Sequence, residues 1–191
     1  LGVLLVLRRY AMIGDGLSHV GFGALSVAYA LNLAPMAVAV PVVILAAFLL
    51  LGLSGSRKLR GDSAIAVLSS SALALGVVAN SLAGGSATDL NGYLFGSILT
   101  LTRADVILSV SLSAVVILLF VLFKNRIFAV TFDEPFAKSA GVRVGLYNGL
   151  LALLIAVTVV VGMRIVGTML ISSLIIFPAL GAMQLAGSFR G

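Results

Sequence analysis

The sequence predicts an all-α fold: a polytopic transmembrane helix bundle of about six or seven helices, plus one short helix that does not cross the bilayer. Three observations predict it. Of the 191 residues, 61% are hydrophobic and 9% are charged, against roughly 25% charged in soluble domains, and the mean hydropathy is +1.26. Apolar runs recur at lengths near the ~20 residues that a hydrocarbon core demands. Positive charge gathers in short clusters between those runs, as the orientation rule for membrane proteins requires.

Taken in order, the opening apolar run to Leu7 is too short to cross and reads as the end of a longer helix. Arg8 and Arg9 follow this run instead of preceding it, which argues against a signal peptide. Spans are expected at residues 15–33, 36–53, 63–82, 105–123, 145–163 and 168–186. Positive charge concentrates at Arg8 and Arg9, at Arg57, Lys58 and Arg60, in the stretch 124–143, and at Arg190, and these positions are assigned to the cytoplasm. The final Ser188 to Gly191 reads as a loop leading onward. Residues 1–191 are therefore taken as one transmembrane domain truncated at both ends.

Composition also bounds the chemistry. The net charge of +6 follows the loop pattern, so the expected surroundings are lipid and not nucleic acid. Cysteine is absent, so a disulfide framework or a thiolate metal site is ruled out and any metal must be held by oxygen and imidazole.

Residues 90–102 are apolar but short. If they crossed, the span at 105–123 would run outward and leave Lys124 and Arg126 outside, against the orientation rule. A re-entrant or outer-leaflet helix lining a vestibule is expected instead. Gly92 and Gly96 have the spacing of a close helix contact.

Asp15 and the single histidine, His19, are four residues apart at the mouth of the first full span. In a helix that spacing puts carboxylate and imidazole on one face, about one turn apart. Ionisable groups within a span cost roughly 2.5–3.5 kcal/mol on insertion scales and usually mark an ion or substrate path, so the pair points to cation handling. The plainer alternative makes Gly14 and Asp15 an N-cap, with Ser18 reaching back and His19 bonded to a neighbouring carbonyl. A helix unbroken from Arg9 would place the pair about 9–15 Å along, nearer the inner side than the midplane. Gly14, Gly16, Gly21 and Gly23 would allow a bend here.

The remaining polar groups are less specific. Asn80, Ser81, Asp89 and Asn91 gather near the outer end as a solvated loop or a cation guide. Arg103, Asp105 and Arg164 read as interfacial anchors or ion-pair partners. Ser172 and Ser173, near Pro178, read as packing and kink chemistry. Residues 131–143 read as a short amphipathic helix capped by Asp133, with Glu134 and Pro135 in its first turn and Gly141 at its end. Phe132 and Phe136 form an apolar edge suited either to docking a soluble partner or to lying on lipid.

Three separated stretches carry a resemblance. The first runs from Val6 through Arg8, Arg9, Gly14, Asp15, Ser18 and His19. The second is Tyr93-Leu-Phe-Gly96-Ser97, followed by Arg103 and Asp105. The third joins Phe132-Asp133-Glu134-Pro135-Phe136-Ala137 and Gly141 to Val166-Gly167, Ser172 and Pro178-Ala179. In this order they resemble the membrane subunits of bacterial ABC importers for zinc, manganese and iron. The resemblance implies a multi-pass protein of the bacterial inner membrane, in which a homodimer of this subunit forms the pore. Two cytoplasmic ATP-binding subunits would dock beneath, and an extracytoplasmic metal-binding protein would deliver the ion. Asp133, Glu134, Pro135, Phe136, Lys138 and Gly141 would then form the coupling helix, and Asp15 and His19 would meet the metal.

No permanent cofactor is implied, only a divalent ion in transit. The chain has no Gly-x-x-x-x-Gly-Lys-Ser/Thr phosphate loop, so it is not expected to be an enzyme and ATP hydrolysis falls to a partner. Two departures stand out: Ala24 where the family often has glycine, and the lack of further helices after Pro178, which leaves the helix count open. The competing readings are a cation-coupled secondary transporter and a non-transporting membrane scaffold. The first should show paired broken helices, and no second copy of the Gly-Asp-x-x-Ser-His element is seen.

Overall fold

The computed structural model describes residues 2–7, 12–54, 61–84, 92, 94–96 and 102–185. Arg8, Arg9, Arg57, Lys58, Arg60, Asp89, Asn91, Tyr93, Ser97 and Arg190 lie outside the described residues, as does most of the short segment at 90–102. All regular structure among the described residues is helical.

The order is α1 (Gly2–Leu7), α2 (Ile13–Ala30), α3 (Pro35–Ser54), α4 (Gly61–Leu82), α5 (Arg103–Phe132), α6 (Glu134–Ser139), α7 (Val144–Val166) and α8 (Thr168–Leu185). Five of them, α3, α4, α5, α7 and α8, are long and apolar enough to cross a membrane. The expected first span, α2, is not among these five, because glycines, serines, Asp15 and His19 dilute its apolar content. Its place in the bundle supplies the reason. α2 is the central helix, packed against α3, α4, α7 and α8, and most of its residues are buried. A helix shielded by protein need not be apolar all round.

Close packing accounts for Gly16, Gly21 and Gly23 of α2. The helix is continuous from Ile13 to Ala30. A Cβ at Gly23 would stand 2.6 Å from the Ala72 carbonyl oxygen of α4, and one at Gly16 would stand 2.6 Å from Ile65 Cγ2. At Gly21 it would strike the Met163 sulfur of α7. Small residues let helix backbones approach where no hydrophobic force drives them together in lipid.

The helix α5 also departs from expectation. At 30 residues it is about 45 Å long, well beyond a ~30 Å hydrocarbon core. Lys124 and Arg126 end the apolar run but not the helix, since neither glycine nor proline appears before Pro135. Two polar contacts pin α5 to its antiparallel neighbour α7. Near one end, Arg164 Nη2 donates to Asp105 Oδ2 at 3.1 Å. Near the other, Arg126 Nη1 donates to the Tyr147 hydroxyl at 3.1 Å. Between the contacts run about 31 Å of α5 and about 26 Å of α7, close to the thickness of a bilayer's apolar core. The expected ion-pair role of Asp105 and Arg164 is thus realised.

The sequence α5–Asp133–α6 turns on one residue. Asp133 has φ −143° and ψ 90°, outside the helical region. Its N–H donates back to the Ala129 carbonyl, and its carboxylate accepts from the Phe136 N–H at 2.9 Å. It closes one helix and caps the next. Gly141, with φ +78°, follows the six-residue α6 as expected.

Gly92 and Gly96 do not form a helix-contact pair. A Cβ at Gly92 would meet open space, while Gly96 adopts φ +76° and packs its backbone on that of Val166 and Gly167. Gly167 itself has φ +97° and abuts Leu94, Phe95 and Gly96. Two motifs far apart in sequence meet there, at the turn between α7 and α8.

Candidate metal site

Asp15 falls in the first turn of α2 and His19 one turn later. Their spacing works as expected: His19 Nε2 is 3.6 Å from Asp15 Oδ1. The Asp15 side chain is 44% exposed and that of His19 is 18% exposed. Both open on a cavity of about 280 Å³ whose other wall is α4, with Ile65, Ala66, Ser69, Ser70 and Leu73. Carboxylate and imidazole therefore face one space large enough for an ion and its water.

The capping alternative does not hold for this pair. The N-cap of α2 is Met12, with no side-chain cap bond, and Asp15 lies three residues inside the helix. His19 Nδ1 is buried and finds no partner among the described residues, so it is not tied to a carbonyl. Ser18 does reach back, its hydroxyl donating to the Asp15 carbonyl oxygen at 2.8 Å. The first turn of a helix suits the Asp15 carboxylate electrostatically.

The level of the pair in the bundle follows from its neighbours. Gly21 packs on Met163, about 29 Å along α7 from Val144, and Asp15 is about 9 Å back from Gly21 along parallel helices. Independently, Asp15 meets Ser172, the fifth residue of α8, close below the α7–α8 turn. These registers put Asp15 a few ångströms beyond the midpoint of α7, while Gly16 on Ile65 and Gly23 on Ala72 set it level with the first turns of α4.

Ser172 is the site residue that sequence reading passed over. Its hydroxyl donates to Asp15 Oδ1 at 3.1 Å, and not to a carbonyl freed by Pro178. No spacing rule could join two residues so remote in sequence. The Asn80 side chain is buried within α4, not in a solvated loop, while Ser81 is exposed. Among the described residues no three His, Cys, Asp or Glu side chains converge, and at this site they offer an ion two ionisable ligands, Asp15 and His19.

The expected coupling residues gather on and beside α6. Asp133 caps α6, Glu134 and Pro135 occupy its first turn, and Lys138 stands in its last. Phe132 and Phe136 are 59% and 67% exposed, an apolar edge with no cover from the described residues.

The family model for the ABC 3 transport family matches residues 1–191. The chain belongs to the ABC 3 transport family. The family places it among multi-pass permease subunits of bacterial plasma membranes, which are not enzymes themselves. The manganese import system permease protein ScaB of Streptococcus gordonii is 31% identical to it over 99% of this chain and 68% of ScaB. The high-affinity zinc uptake system membrane protein ZnuB of Buchnera aphidicola is 28% identical over 98% of this chain and 72% of ZnuB. Among solved structures, PsaBC from Streptococcus pneumoniae in complex with Fab matches with a TM-score of 0.84 and 33% identity, covering 99% of this chain and 68% of that one. The chain spans 44–72% of the length of the curated relatives it matches. The fold of this ABC 3 member is thus the membrane-permease bundle that the sequence predicted.

Proposed function

We propose that this chain forms the transmembrane path of an ATP-driven importer of divalent transition-metal ions, manganese or zinc and, by the same ligand chemistry, ferrous iron. The observation that carries it is the Asp15 and His19 pair, set one turn apart on the central helix and open to a shared cavity. An anionic carboxylate partly neutralises a dication and suits manganese, while a neutral imidazole suits zinc and iron. Two ligands hold an ion loosely, and conduction needs a site favourable enough to enter yet weak enough to leave. In a homodimer the pair would be doubled around the axis, and the exposed Asp15 leaves room for this. Permease names that specify manganese and zinc support the cargo class.

On this reading the positively charged end is cytoplasmic. α6, with Asp133, Glu134, Pro135, Phe136, Lys138 and Gly141, docks the ATP-binding subunits there. The pair, within the bundle, receives the ion that an extracytoplasmic metal-binding protein delivers. The test is uptake of manganese or zinc by proteoliposomes holding the complete transporter. Uptake that requires ATP and the ATPase subunit supports the proposal. Uptake driven by a proton gradient without ATP makes the protein a secondary transporter, and no uptake under either condition makes it a scaffold.

A further inference from the structure

Ser172 is buried on the first turns of α8, and its hydroxyl holds the same Asp15 oxygen that faces His19. The platform beneath it is firm. α8 starts just after Gly167, whose backbone is wedged against residues 94–96, and Thr168 and Ile171 are buried beside it. Sites built on fixed elements are more accurately placed than sites on loops. Proline at position 178 frees the carbonyl of Leu174, so the bond from Ser172 to Asp15 does not serve the kink.

A carboxylate one turn into a helix can rotate, and an ion binding to it would have to order it. A donor on a neighbouring helix removes that freedom beforehand. The donor here is neutral, so the whole negative charge stays available to a cation, whereas lysine or arginine in its place would cancel it. We infer that Ser172 is a positioning residue for the cation site: it fixes the Asp15 carboxylate for a divalent ion and links occupancy of the site to α8. This inference rests on the reading of Asp15 and His19 as the cation site.

The experiment measures manganese binding to the purified complete transporter, with free manganese followed by its electron paramagnetic resonance signal. Wild type, Ser172→Ala, Ser172→Thr and Asp15→Asn are compared. Loss of an outer-shell partner typically costs about 10–100-fold in metal affinity, so Ser172→Ala is expected to raise the apparent Kd roughly tenfold. Ser172→Thr keeps the donor and is expected to stay within about threefold of wild type. A Kd in Ser172→Ala that is unchanged or lower overturns the inference, and so does a threonine variant as weak as the alanine one. These failures leave the cation site standing if Asp15→Asn has lost binding. Wild-type binding in Asp15→Asn overturns the cation-site reading itself and this inference with it.

Discussion

Arg164 in the last turn of α7 lies 3.1 Å from Asp105 in the first turn of α5, and both side chains are about five-sixths buried. Asp105 has a second task. It accepts from the Thr102 N–H while its own N–H donates to Thr102 Oγ1, a capping box at the start of α5.

The two members of this pair should not be equivalent. Asp105→Ala strands a buried guanidinium, at about 3–5 kcal/mol, and removes a cap contact of about 1 kcal/mol. Arg164→Ala leaves Asp105 with Thr102 as a partner and should cost less. Thermal unfolding of the transporter in detergent compares them, and equal losses would show that the capping box adds nothing.

At the α7–α8 turn, Gly167→Ala should be among the most damaging small changes in the chain. The added Cβ has no room against Gly96 and Leu94, and φ is +97°. Left-handed strain alone costs about 1–2 kcal/mol, before any overlap. Gly181→Ala, inside α8 with nothing within 4 Å, should be neutral or stabilise by up to about 1 kcal/mol. The yield of folded protein and the melting temperature read the contrast directly.

Asp15→Asn and His19→Ala should each lower ATP-driven metal uptake at least tenfold while assembly with the ATPase stays intact. Transport assays paired with co-purification separate these effects. Wild-type uptake in both variants would falsify the metal assignment.

Glu134→Lys combined with Phe136→Ala should weaken ATPase association or uncouple hydrolysis from uptake, since both residues are exposed on α6. Asp133→Ala should act differently, loosening α6 by about 1 kcal/mol through loss of its cap. Hydrogen exchange at Phe136 and Ala137 would report that loosening, and protection equal to wild type would refute the capping role.

Much of this was legible in one dimension wherever the governing interaction is local. Apolar length gave α3, α4, α7 and α8. The i, i+4 spacing gave the facing of Asp15 and His19, and Asp133 with Pro135 gave the start of α6. A hydropathy boundary is not a helix boundary, as the continuation of α5 past Lys124 shows, and two glycines four apart need not share a contact, as Gly92 and Gly96 show. The Thr102 and Asp105 capping box has a local signature, a threonine three residues ahead of an acid before an apolar run.

By itself the sequence determined that this chain is a multi-pass helical membrane protein with one costly carboxylate and imidazole pair, because burial cost and helical period act on neighbours along the chain. Only the tertiary structure decided that α2 is central, that its glycines seat α4 and α7, and that the pair shares a cavity with the first turns of α4. It also brought Ser172 to Asp15 and Gly96 to Gly167. Those facts depend on which helix surfaces fit together and in what register, and side-chain shape across distant segments sets that, not any local spacing.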